Sequence, residues 1–96
     1  MSPTNKKKLE KLRIKLDKLD NELLKLIKKR SNLVNEVLKV KIYKKEIIDQ
    51  KRIKFILKKI KKKSNQLKID PKITKRIWKN MIWSFIDYEK RNFKKK

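Results

Sequence analysis

The chain contains no cysteine, no histidine, no glycine and no alanine, and only two prolines in 96 residues. Lack of cysteine rules out a disulfide framework and thiol chemistry. Lack of histidine as well removes the usual zinc ligand sets, so no metal site is expected. A chain without cysteine is expected in the cytoplasm. With no glycine, no flexible Gly/Ser linker divides the sequence, and no internal repeat does so either. No apolar run approaches the roughly 20 residues of a membrane span, and the N-terminus lacks the apolar block of a signal peptide. One small domain is therefore expected, away from membranes.

What the chain does have is positive charge. Lys and Arg total 33 against ten acids, a net charge of +23. Such a balance raises the possibility of a nucleic-acid partner. A plainer cause competes with it. Residues with GC-rich codons are missing while Lys, Ile and Asn abound, as a strongly AT-biased coding sequence would produce. A nucleic-acid interface also needs aromatic or arginine contacts on an exposed basic face, and Trp78, Trp83 and Phe85 read as core of a helix. The charge suits a small dianionic metabolite equally well, because it steers anions inward.

Periodicity predicts an all-α chain of three helices. From Lys8 to Tyr43 nothing breaks a helix, and an apolar row runs Leu9, Leu12, Leu16, Leu19, Leu23, Leu26, Leu33, Val37, Val40. At 1.5 Å per residue such a helix is roughly 50 Å long. A row of that length cannot be buried by the short remainder of the chain alone, which predicts an intertwined helical homodimer. A polar break follows at Lys44, Lys45 and Glu46. Asp49 is a good N-cap for a second helix carrying Ile53, Ile56, Leu57 and Ile60. Ser64 to Ile69 reads as a loop. Asp70 with Pro71 then starts a third helix, supplying a capping carboxylate and a proline at the first helical position. That helix carries Ile73, Ile77, Trp78, Met81, Ile82, Phe85 and Ile86, and ends near Phe93. The expected organisation is a polar tail at 1–7, a helical domain at 8–93 and a basic tail at 94–96.

Only five of the basic residues are arginines, and Arg13, Arg30 and Arg52 look placed. The three–four spacing of the long apolar row continues unbroken only if Arg30 is a member of it. A guanidinium in a heptad core position is costly unless paired, which makes an anionic ligand one candidate partner. Lys41 follows Arg30 by 11 residues, about 20° around the helix after whole turns and about 16 Å along it, so both could grip one small molecule. Arg13 lies about 25 Å and about 100° from Arg30, and would have to serve a site in a second subunit. Glu89 continues the row Ile73, Ile77, Met81, Phe85 and so projects from an apolar face, where desolvation favours the neutral acid, a hydrogen-bond donor. Each has a plainer explanation from pattern alone. Arg30 could be an arginine snorkelling at a helix rim, Lys41 one lysine among many, Glu89 an acid paired with a nearby lysine, and Asp49 a cap.

The ordered set Leu12, Arg13, Leu16, Leu19, Asp20, Leu23, Leu24, Leu26, Ile27, Arg30, Leu33, Val37, Lys41, then Asp49, Gln50, Lys51, Arg52, then Ile69, Asp70, Pro71, and finally Ile86, Asp87, Tyr88, Glu89 resembles the all-helical chorismate mutases, particularly their short single-domain members. The similarity spans about Leu9 to Phe93. It implies a Claisen rearrangement of chorismate to prephenate, a step of aromatic amino-acid biosynthesis that needs no cofactor, nucleophile or metal. It also implies site residues. Arg30 and the partner subunit's Arg13 would hold the substrate carboxylates, and Lys41 would donate to the ether oxygen and a carboxylate. Asp49 and Arg52 would lie on the ring side. Glu89 stands where many members carry glutamine, the second donor to the ether oxygen. A glutamate must be protonated to donate, so activity should fall as pH rises. Four positions depart from the common pattern. Ile53 replaces a frequent glutamate that contacts the ring hydroxyl, Phe85 replaces a small polar residue, and Leu38 and Lys68 replace glycines. Ile53 and Phe85 would thus line the substrate. The connection from Lys41 to Arg52 and the apolar residue after it also resemble the isochorismate pyruvate lyases, which share the fold and are the alternative activity.

Overall fold

The computed structural model describes residues 2–94. Met1 of the expected polar tail and the last two residues of the basic tail lie outside the described residues. Three α-helices and one 3-10 turn make up the regular structure: α1 (Pro3–Val40), the turn Lys44–Ile47, α2 (Gln50–Gln66) and α3 (Pro71–Asn92). No strand occurs among the described residues, as the periodicity predicts.

Helix α1 starts at Pro3, five residues before the expected start at Lys8. Ser2 Oγ accepts from the Asn5 N–H at 3.2 Å, and Pro3 fills the first helical position, where its missing N–H costs nothing. The helix also ends earlier than expected, at Val40 rather than Tyr43. The carboxylate of Glu46 explains this: its Oε2 accepts from the N–H of Ile42 at 2.8 Å and of Tyr43 at 3.4 Å. Those two N–H groups are drawn away from α1, and the chain turns into the 3-10 segment.

The chain divides into two compact units, residues 1–33 and 34–96. The first unit is helical from Pro3 onward. Its apolar row is open: Leu12, Leu16, Leu19, Leu23 and Leu26 each remain more than half exposed.

The second unit holds the hydrophobic core. Leu38, Ile47, Ile53, Ile82 and Ile86 are buried together, with Ile48, Ile56, Leu57 and Phe93 packed against them. Leu38 thus uses its side chain in the core. Helices α2 and α3 pack side by side, and a pair of buried hydroxyls pins the end of one to the start of the other. Ser64 Oγ lies 2.7 Å from Thr74 Oγ1 and 2.6 Å from the Ile60 carbonyl oxygen to which it donates. The stretch expected to be a loop from Ser64 remains helical to Gln66.

The α2–α3 connection is a Schellman turn. The Lys68 N–H donates to the Asn65 carbonyl at 3.2 Å and the Ile69 N–H to the Ser64 carbonyl at 2.8 Å, the two reverse bonds that define the motif. The motif needs a left-handed residue after the cap, and Lys68 supplies it at φ 58°. Asp70 then caps α3, accepting from the Lys72 N–H at 2.9 Å, with Pro71 at the first position.

Candidate active site

Three local features position the polar residues of the second unit. The capture of the Ile42 and Tyr43 N–H groups by Glu46 ends α1 immediately before Lys41. Asp49 caps α2, its Oδ1 accepting from the Arg52 N–H at 3.0 Å. Tyr88 on α3 donates its hydroxyl to Asn35 Oδ1 at 2.7 Å, tying α3 to the last turns of α1 one residue before Glu89.

The outcome is a close pair. Lys41 Nζ donates to Glu89 Oε1 at 2.9 Å. The Glu89 side chain is 7% exposed and that of Lys41 18%. The other two ion pairs found among the described residues, Lys25 with Glu22 and Arg91 with Asp87, are one-turn surface pairs of little energetic consequence. The Lys41–Glu89 contact is different. Removing either member would strand a desolvated polar group, at a cost of roughly 3–5 kcal/mol for a buried pair. Glu89 sits with buried Ile82 and Ile86 and partly buried Phe93 rather than on the expected row, whose Ile73 and Ile77 are more than half exposed, and its partner is Lys41. An ammonium only donates, so Oε1 is its acceptor.

The remaining expected residues are placed as follows. Asp49 acts as a cap and is exposed. Arg52 is exposed, with its guanidinium carbon 5.4 Å from the centre of the Phe55 ring. Ile53 is buried in the core cluster, and Phe85 is partly buried. Arg13 and Arg30 belong to the first unit, where Arg13 is exposed and Arg30 partly buried. Sequence reasoning overlooked the Tyr88–Asn35 bond. Both residues are ordinary on a helix surface, and only their 53-residue separation in sequence closed to 2.7 Å marks them.

The family described as chorismate mutase type II matches residues 12–90, most of the chain.

The chain belongs to that family.

It is accordingly an isomerase with chorismate mutase activity. The matched stretch takes in both members of the Lys41–Glu89 pair and all three placed arginines. No curated protein and no solved structure matched the chain. No helix among the described residues is long and apolar enough to cross a membrane, and no cluster of metal-ligating side chains is found among them.

Proposed function

We propose that Lys41 and Glu89 form the paired donor that stabilises the ether oxygen of chorismate as its bond to carbon breaks. The 2.9 Å contact between them carries this reading. The rearrangement is unimolecular and transfers no proton, so catalysis consists of holding the substrate in a folded, chair-like shape and stabilising the negative charge that develops on one oxygen. A lysine ammonium has three protons. One is engaged by Glu89 Oε1, leaving others for the ether oxygen and a carboxylate. A Glu89 protonated on Oε2 donates to the same ether oxygen while Oε1 keeps its bond to Lys41. Glu89 is held on α3 and Lys41 directly after the end of α1, so little reorganisation is required when charge appears.

The carboxylates of the dianion need their own cations. Arg30 and the partner subunit's Arg13 fill that role in this reading, each able to bind a carboxylate with two parallel hydrogen bonds. Asp49 and Arg52 stand at the start of α2, on the ring side. Ile53 and Phe85 supply apolar wall in place of polar contacts. The homodimer is supported by the open leucine row of α1. Each fully buried leucine contributes roughly 1.5–3 kcal/mol, and several leucines left in water are a strong incentive to association. In this reading the chain acts in the cytoplasm, in aromatic amino-acid biosynthesis.

Product identification tests the activity. Purified protein is incubated with chorismate and, separately, with isochorismate. Prephenate from chorismate is expected. Pyruvate released from isochorismate, with chorismate untouched, would assign the lyase chemistry instead.

A further inference from the structure

Lys41 stands on a segment anchored in the core on both sides, by Leu38 in the last turn of α1 and by Ile47 in the 3-10 turn. Two hydrogen bonds hold the peptide planes that flank its Cα. Its own N–H donates to the Leu38 carbonyl at 3.3 Å, and the N–H of the next residue, Ile42, donates to Glu46 Oε2 at 2.8 Å. The same carboxylate oxygen accepts from the Tyr43 N–H at 3.4 Å. The Glu46 N–H closes the bend by donating to the Tyr43 carbonyl at 3.0 Å. A peptide unit is planar, so holding the planes on either side of Lys41 sets its φ and ψ, and with them the direction of its Cα–Cβ bond.

Nothing in the local sequence asks for that geometry. Lys41, Ile42 and Tyr43 include no helix breaker. In a helix continued through them, the Ile42 N–H would donate to the Leu38 carbonyl and the Tyr43 N–H to the Lys39 carbonyl. The Glu46 carboxylate competes for those two donors and takes both. Without it, two N–H groups and the last carbonyls of α1 would need other partners, and one more turn of helix supplies them to each other. Lys41 would then be an interior helical residue, with the peptide plane after it turned along the helix axis.

We propose that Glu46 is a positioning residue for the reaction. By withholding the Ile42 and Tyr43 N–H groups from α1, it aims the Lys41 ammonium at Glu89 and at the substrate's ether oxygen. The inference rests on the reading of Lys41 as a donor to that oxygen. Glu46 itself is exposed and acts on the backbone next to Lys41, so its effect passes through the lysine. A misplacement of about 1 Å in a group that positions or stabilises the reacting atoms can cost about 100-fold in rate, which makes one surface carboxylate consequential.

The test compares kcat at saturating chorismate for the native chain, Glu46→Ala, Glu46→Gln, Lys41→Ala and the double variant Lys41→Ala with Glu46→Ala. Glu46→Ala should lose roughly tenfold or more. Glu46→Gln should recover most of that loss, because its amide oxygen still accepts from both N–H groups. In the Lys41→Ala background, Glu46→Ala should cost little more, since the lysine it aims is gone. NMR Cα shifts of Ile42 and Tyr43 should move towards helical values in Glu46→Ala and stay near native in Glu46→Gln. If Glu46→Ala does not fold, Glu46→Asp, which keeps the charge and shortens the reach by one methylene, takes its place throughout. A near-native rate for Glu46→Ala beside an impaired Lys41→Ala would overturn this proposal and leave the reading of Lys41 standing. A near-native rate for Lys41→Ala would overturn that reading and the proposal with it. An equal loss from Glu46→Ala in both backgrounds, Glu46→Gln as slow as Glu46→Ala, or unchanged shifts would each overturn the proposal.

Discussion

Lys41 and Glu89 are 48 positions apart in the sequence, yet the ammonium of the first lies 2.9 Å from Oε1 of the second, and the carboxylate is almost fully buried. The contact fixes chemistry as well as geometry. It orients the lysine from the end of α1 towards α3, and it fixes Oε1 as the oxygen that accepts from the ammonium. In the proposed reading the two groups serve as neighbouring donors to one oxygen of the substrate.

Glu89→Gln tests the second donor. The amide oxygen still accepts from Lys41 while the amide N–H₂ donates, so the variant should turn over chorismate at least as fast as the native chain. A clear loss of kcat in a folded variant would remove Glu89 from the ether oxygen.

The reading of Arg13 as a residue acting in the partner's site predicts complementation. Arg13→Ala and Lys41→Ala chains are each expected to be nearly inactive as homodimers. In a mixed dimer, one of the two composite sites has both residues intact. Activity should therefore reappear when the two variants are mixed, approaching one quarter of the native specific activity for statistical exchange of equal amounts. Full subunit exchange, verified by mass, without recovered activity would place Arg13 outside the site.

Lys68 bears on stability alone. A non-glycine residue in the left-handed region costs roughly 1–2 kcal/mol, and Lys68 adopts it because the Schellman turn demands it. Lys68→Gly should raise the urea midpoint, by an amount equivalent to about 1 kcal/mol. An unchanged or lower midpoint would show that the lysine side chain contributes something the glycine lacks.

The helices were legible because their signals are local. The apolar row of α1, the capping Asp49 and the Asp70–Pro71 start each depend on residues a few positions apart, and each lies in the structure where the spacing puts it. The ends of α1 were less legible. Its start rests on a cap at Ser2 hidden in a lysine-rich stretch with no apolar period, and its stop rests on a Glu46 side chain that reaches back over the bend. In the site, Glu89 stood out because a carboxyl interrupts an apolar face. Lys41 was marked only by its spacing from Arg30 and by the family resemblance, because nothing in its own surroundings separates it from the other lysines. Its importance comes from a contact across 48 residues, and long-range pairing leaves no periodic trace. Phe55 was likewise unmarked: the structure leaves it more than half exposed, with Arg52 against one side and Lys59 near it, an aromatic serving as a rest for cations rather than as core.

The turnover of Lys41→Ala bears most directly on the central claim, that Lys41 and Glu89 together stabilise the breaking ether bond. The variant should be compared with the native chain at saturating chorismate, with circular dichroism confirming that its helices are intact. Loss of a preorganised donor to a developing oxyanion typically costs roughly 100- to 1,000-fold in kcat, and a reduction of at least that size is predicted. A folded Lys41→Ala chain that turns over chorismate at close to the native rate would contradict the account.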